Sequence, residues 1–194
     1  VTIHDLIHQH FFHKRATTLN PILHLIKKVG YDIAFKCAVV DAKKIITPSK
    51  FVRDQLISEW NVNPNKIEVT YEGVDDHILR LSRVMSKRKS KQLISDLGIK
   101  SPYLFYVGNA HPHKNVEKLI LTFRRLKGIF PHLFLVLSGS ESIFWKKIKS
   151  KYNFNGLSYT GFVTDEVMVA LYKNSIAFVT PSLEEGFGLP ILEA

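Results

Sequence analysis

Glu185-Gly186-Phe187-Gly188-Leu189-Pro190-Ile191-Leu192-Glu193-Ala194 is the stretch on which the reading of this chain turns. Two carboxylates stand eight positions apart with a Gly-Phe-Gly turn between them. Pro190 sits where the first turn of a helix can begin, because its locked φ suits the helix and its missing N–H has no intrahelical partner to lose. The preceding run, Ser175-Ile176-Ala177-Phe178-Val179-Thr180, opens with the apolar, β-branched character of a buried parallel strand. Strand, glycine turn and helix N-terminus in that order aim backbone N–H groups at a crevice where an anion can sit. Glu185 then stands at the mouth of the crevice and Glu193 within the helix. The plainer reading of the same residues is an acidic loop entering an ordinary amphipathic helix, with Glu193 solvated.

Upstream, strand and helix patterns alternate. Tyr103-Leu104-Phe105-Tyr106-Val107 predicts a buried strand that runs through Gly108 and Asn109 into a turn ending at Lys114 and Asn115. Val116, Leu119, Ile120, Phe123 and Leu126 then form one face of a helix. The first strand–turn–helix of a doubly wound sheet is where phosphates bind, so Lys114 can set an ammonium against a diphosphate. A solvated loop lysine is the alternative. Residues 133–139 predict a second strand, with a helix from near Glu141. Residues 157–160 predict a third, followed by a Gly161-Phe162-Val163 turn and Thr164 as N-cap of a helix to about Lys173. In the first part of the chain, Val1 to Ile7 reads as a strand with His4 and Asp5 at its C-terminal end, the edge that lines the crevice in open parallel sheets. Asn20 to about Ala42 reads as a helix weakened at Gly30, and Lys44 to Thr47 as a strand. Pro48 to Trp60 reads as a helix with Phe51, Val52, Leu56 and Ile57 inward, residues 66–75 as a strand and its exit, and the linker after them as closed by a short helix to Leu97 with Gly98 as its stop.

The Glu-x7-Glu stretch, as Glu-Gly-Phe-Gly-Leu-Pro-x-Leu-Glu-Ala, resembles the signature of the family 4 glycosyltransferases. These are retaining, nucleotide-sugar-dependent enzymes with two facing Rossmann-like domains, the GT-B fold. Residues 107–115 resemble that family's Val-Gly-x-x-x-Pro-Arg-Lys-Asn, with His113 at the arginine position. Residues 67–75 are similar to its Ile-x-Val-x-x-Asn-Gly-Val-Asp, with Glu72 in place of the asparagine. The resemblance implies an α/β fold of GT-B type, seen as a slice: the end of the N-terminal domain in 1–75, a linker in 76–100, and most of the nucleotide-sugar-binding domain in 101–194. It implies three catalytic candidates. Glu185 orients or electrostatically supports the donor sugar, His4 approaches that sugar across the cleft, and Lys114 neutralises the departing diphosphate. Donor-binding candidates are Gly108, Asn109 and His113 in the first turn, Gly186, Phe187, Gly188 and Leu189 in the glycine turn, and Glu193 on the ribose. Val163, with Gly161, resembles the loop that meets the nucleobase; a core valine in a simple turn is the plainer reading. The implied reaction needs no protein nucleophile, metal or cofactor. It moves a sugar, with GDP-mannose-type donors slightly favoured, to a saccharide or lipid-linked hydroxyl in cell-surface polysaccharide synthesis.

Composition bounds the remaining readings. With 45% hydrophobic and 23% charged residues the chain can build a core. Its single cysteine, Cys37, rules out a disulfide within these 194 residues and reads as a small core residue on a helix. No apolar run approaches the length of a membrane span; the lone cysteine and the cytosolic supply of activated sugars lead to the expectation of a cytoplasmic protein, with a peripheral place at the inner membrane face as one reading. The net charge of +10 comes largely from Lys87-Arg88-Lys89 with Lys91, Lys146-Lys147 with Lys149 and Lys151, and Lys14-Arg15. Contact with an anionic membrane is one reading, a solvated surface the plainer one. Nucleic-acid binding is not expected, since Phe105, Tyr106, Phe134 and Phe178 read as core and not as a stacking platform. His8, His10 and His13, like His111 and His113, lack the spacing of a zinc site. A noncatalytic, donor-binding relative is the main rival to the enzyme.

Overall fold

The computed structural model describes residues 1–11 and 21–194. His13, Lys14, Arg15 and the helix start expected at Asn20 lie outside the described residues. The chain divides into two compact units, Val1–Glu72 with Glu184–Gly188, and Gly73–Leu183 with Leu189–Ala194.

The first unit contains α1 (Ile7–His10), α2 (Pro21–Asp41), β1 (Ile45–Thr47), α3 (Lys50–Trp60), a one-turn 3₁₀ helix (Pro64–Lys66) and β2 (Ile67–Val69). β1 and β2 are parallel, with Ile45 opposite Ile67. The opening residues run along the other side of β1: Thr2 bridges Ile46, and the Ile3 N–H donates to the Ile46 carbonyl at 2.9 Å. Ile3, Leu6, Val39, Ile45, Val52, Leu56 and Val62 form the core. Ser49 caps α3 by accepting the Val52 N–H at 3.2 Å, and Asn61 ends it in the left-handed region at φ 51°.

Two expectations are corrected here. Phe51 is exposed, because α3 turns Val52 and Leu56, four residues apart, toward the core and Phe51 away from them. Cys37 is exposed: the buried position on its part of α2 is Val39, two residues on and more than half a turn around the helix. α2 itself passes Gly30 without a break.

The second unit contains α4 (Asp76–Val84), α5 (Lys87–Asp96), β3 (Tyr103–Val107), a 3₁₀ turn (Pro112–Lys114), α6 (Val116–Ile129), β4 (Phe134–Ser138), α7 (Ile143–Lys151), β5 (Leu157–Gly161), α8 (Asp165–Asn174), β6 (Ala177–Phe178) and α9 (Leu189–Glu193). The sheet is fully parallel in the order β5-β4-β3-β6. Its inner strands β3 and β4 are near-continuous apolar runs because both faces are covered. Phe105 and Val136 look to one side, into a cluster with Tyr103, Ile94, Val169 and Leu171. Tyr106, Leu135 and Leu137 look to the other, packing with Ile120, Phe123 and Trp145. This is the period-two alternation of a strand. Residues 76–100, read from sequence as a linker, hold α4 and α5, and both pack against α8. Ser86 caps α5 by accepting the Lys89 N–H at 3.2 Å, and Gly98 at φ 65° stands beyond its end.

Candidate active site

In the first unit the strand expected over residues 1–7 is reduced to a bridge at Thr2 beside β1, because Ile7 already begins α1, and the extended residues between them deliver His4. The ring is largely solvent-facing, and its Nδ1 lies 3.0 Å from Oε1 of Glu72, the residue that departs from the expected asparagine. Asp5 Oδ1 accepts the Ile7 N–H at 3.0 Å, fixing the start of α1. The segment Glu184–Gly188 belongs to the same unit. Gly186 lies so close to the His4 backbone that a Cβ there would stand 2.0 Å from the His4 carbonyl oxygen. The Ser49 hydroxyl donates to the Gly186 carbonyl at 2.5 Å while its oxygen caps α3. Phe187 packs near Tyr71, with ring centroids 6.1 Å apart. Gly188 adopts φ 89°, where a side chain would be strained. The half-buried Glu185 is therefore carried on a segment seated against the strand end that presents His4.

Glu184, one position earlier, holds that segment through its own carboxylate. Its Oε2 lies 2.6 Å from His10 Nδ1, and its Oε1 accepts the Gln55 side-chain N–H at 3.2 Å. His10 Nε2 lies 2.7 Å from Glu59 Oε2. Sequence reasoning weighed His10 only as a metal ligand and passed over Gln55 and Glu59. Four-residue spacing put Gln55 and Glu59 on one face of α3, but nothing local named what they meet.

In the second unit the candidates gather at the C-terminal edge of the parallel sheet, where open α/β sheets bind ligands. Gly108 leaves β3 at φ 149°, and its carbonyl accepts the Trp145 indole N–H at 3.3 Å. Gly139, after β4, approaches so near that a Cβ would stand 2.0 Å from the Gly108 oxygen. Asn109 turns the chain, its Oδ1 accepting the His111 N–H at 3.1 Å. Lys114 closes the 3₁₀ turn, its N–H donating to the His111 carbonyl at 2.9 Å. The His113 ring lies near-parallel to that of His111 at 6.0 Å. The turn is tied to the stretch after β6: the Leu183 N–H donates to the His113 carbonyl at 2.8 Å, and Asn115 Nδ2 to the Pro181 carbonyl at 3.1 Å.

Val163 is half-buried and packs on the core, so its side chain serves the fold; Gly161 precedes it at φ 73°. Leu189 opens α9 and Glu193 closes it, with the Tyr172 hydroxyl donating to Glu193 Oε2 at 3.1 Å. Burial, with the neighbouring Glu193 charge and hydrogen bond, drives the Tyr172 phenol well above the usual tyrosine range. The sites thus divide between the units: His4 and Glu184–Gly188 in one, Gly108, Asn109, His113, Lys114, Val163, Leu189 and Glu193 in the other. Among the described residues no group of three or more His, Cys, Asp or Glu is placed to hold a metal ion, and no helix is long and apolar enough to cross a membrane.

Known proteins share this construction. Residues 1–78 match the family described as Glycosyltransferase Family 4, and residues 88–194 match Glycosyl transferases group 1. The O-antigen chain mannosyltransferase B of Escherichia coli is 30% identical, the match covering 94% of this chain and 49% of that protein. The O-antigen chain mannosyltransferase RfbU of Salmonella typhimurium is 27% identical over 100% of this chain and 48% of its own length. The chain therefore spans about half the length of the curated relatives it matches. Among solved structures, Anabaena HepE in complex with UDP and glucose superposes with a TM-score of 0.69 at 19% identity, over 100% of this chain and 49% of that one. WaaG, a glycosyltransferase involved in lipopolysaccharide biosynthesis, gives 0.70 at 16% identity, over 100% and 52%. These likenesses establish the GT-B fold. With more than half of its residues matched by one family and the remaining unit by its N-terminal counterpart, the chain belongs to the group 1 glycosyltransferases.

Proposed function

We propose that the full-length protein transfers a sugar from a nucleotide-sugar donor to a hydroxyl acceptor with retention of anomeric configuration. The observation that carries this reading is the seating of the Glu185 segment against the strand end that bears His4. The bond from the anomeric carbon to the diphosphate breaks, the acceptor oxygen takes that carbon on the same face, and the acceptor proton leaves with the phosphate. The main electrostatic task is to stabilise the diphosphate as its charge develops. Lys114 and the N–H groups of residues 186–188 supply that stabilisation without a metal. Glu185 supports the donor sugar, His4 closes over it, and Glu193 holds the ribose. Gly108, Asn109, His113 and Leu189 frame the donor, and backbone groups at Gly161 and Val163 meet the base.

GDP-mannose is the first donor to try, since relatives named as O-antigen mannosyltransferases support it. The acceptor is a saccharide or a lipid-linked hydroxyl, reached at the cytoplasmic membrane face. The test scans UDP-, GDP- and ADP-sugars with the full-length protein for release of nucleoside diphosphate. One donor is expected to be consumed, with Lys114→Ala and Glu185→Ala each lowering turnover about a hundredfold or more. Donor binding without release, even after acceptors are added, assigns a noncatalytic relative, and no binding to any donor overturns the reading.

A further inference from the structure

We propose that His10 is a positioning residue for the glutamate segment: as an imidazolium it bridges Glu184 to Glu59 of α3 and so holds Glu184–Gly188, with Glu185, on the His4–Asp5 strand end. The two carboxylates engage opposite ring nitrogens, Glu184 at Nδ1 (2.6 Å) and Glu59 at Nε2 (2.7 Å). A neutral imidazole has one N–H and one lone pair, whereas an ionised carboxylate only accepts. Only the protonated ring donates to both, and such charge-assisted bonds are the stronger kind.

Glu184 is well placed to transmit this hold. Its side chain is 9% exposed, so water does little to replace a lost partner. Its other oxygen is taken by Gln55, leaving His10 as the ionic end of the anchor. Among the described residues, the groups facing His10 are Glu184 from the segment, and Glu59 from α3 with the neutral Gln55 beside it. Burial alone lowers the His10 pKa, but the hydrogen bonds and charges of Glu184 and Glu59 outweigh it, and the net direction is upward from 6.5. The anchor is therefore complete below the ordinary histidine value and is lost as pH rises through the raised folded-state value.

The catalytic consequence rests on the sugar-transfer reading; the anchoring does not. Two measurements on the full-length protein separate them. Hydrogen exchange of peptides covering residues 184–188, corrected for the intrinsic pH dependence, is followed from about pH 6 to about pH 9, a range spanning histidine titration. Protection in the wild type is expected to fall about tenfold across this range, as befits loss of a charge-assisted bond. His10→Gln removes the step, and Glu59→Gln, which leaves the Glu184 bond in place, moves its midpoint to lower pH. A wild-type segment without a step, or a step that survives His10→Gln, overturns the positioning role. The second measurement is the pH profile of nucleoside diphosphate release from GDP-mannose, or from whichever donor is consumed. His10→Gln is expected to abolish an alkaline limb, acting on kcat more than on KM. An unchanged profile beside a clear exchange step overturns the catalytic consequence alone. The exchange step with no donor consumed supports the anchor and removes the transferase reading.

Discussion

Gly186 is the residue at which shape and chemistry meet most directly. The atom in the way of a side chain is the His4 carbonyl oxygen, a backbone atom that cannot swing aside. Gly186→Ala is expected to cost about 2 kcal/mol, as other overpacked sites do, read as a lower urea midpoint with unchanged slope. A full retention of stability would mean the segment is free to lift. The glycine was legible in the sequence as part of a turn. Its reason was not, because the obstacle belongs to the opposite end of the chain. The same holds for Glu72: its departure from the family pattern was visible, but its pairing with His4 at 3.0 Å required the fold. Glu193 was readable as a helix carboxylate, whereas its Tyr172 partner lies on α8 and carried no local signal.

Among the elements, α5 separates what pattern can and cannot reveal. Strands β3 and β4 were legible because burial on both faces leaves them almost wholly apolar. The helix after Ser86 was legible as a short segment closing the linker at Leu97, but its packing was masked by charge: Lys87, Arg88, Lys89 and Lys91 dominate the pattern, yet Ser90 and Ile94 on the other face are buried. Ile94→Ala decides between a linker and a packed helix. A packed helix predicts a loss of about 2–4 kcal/mol in chemical denaturation, while a linker would leave stability unchanged. β6 shows the opposite limit. A run that reads as a longer strand registers with Leu104 and Phe105 at Ala177 and Phe178, flanked by the Ile176 and Val179 N–H groups donating to the Tyr103 and Phe105 carbonyls.

For the molecule as a whole, alkaline pH acts on one unit's aromatic core. Burial raises the phenols of Tyr103 and Tyr172, and burial with the neighbouring Tyr152 pushes Tyr159 up to about 12. Above about pH 10 the unfolded phenols ionise while the folded ones hold their protons. Stability is therefore full below that pH and is lost as pH rises toward the folded values, the sign required when the native state binds more protons. Urea midpoints measured between pH 9 and 12 should fall steadily, and Tyr159→Phe should flatten part of the decline. The division into two units makes a separate prediction. The chain has two tryptophans: Trp60 packs edge-on against Phe35 at 4.6 Å in the first unit, and Trp145 is buried in the second. Emission of Trp60→Phe and Trp145→Phe proteins should report two unfolding transitions that do not coincide, with the two-stranded first unit giving way earlier. Superimposable curves would establish a single cooperative body. The indole of Trp145 also has a use beyond stability. Its N–H is bonded to the carbonyl of Gly108, the first backbone group of the turn proposed to frame the donor. A nucleotide bound at that turn, as proposed, is expected to change the polarisation of the carbonyl the indole touches, so donor titration should register as a shift in ultraviolet emission. The proposed donor site would then carry its own unlabelled optical gauge.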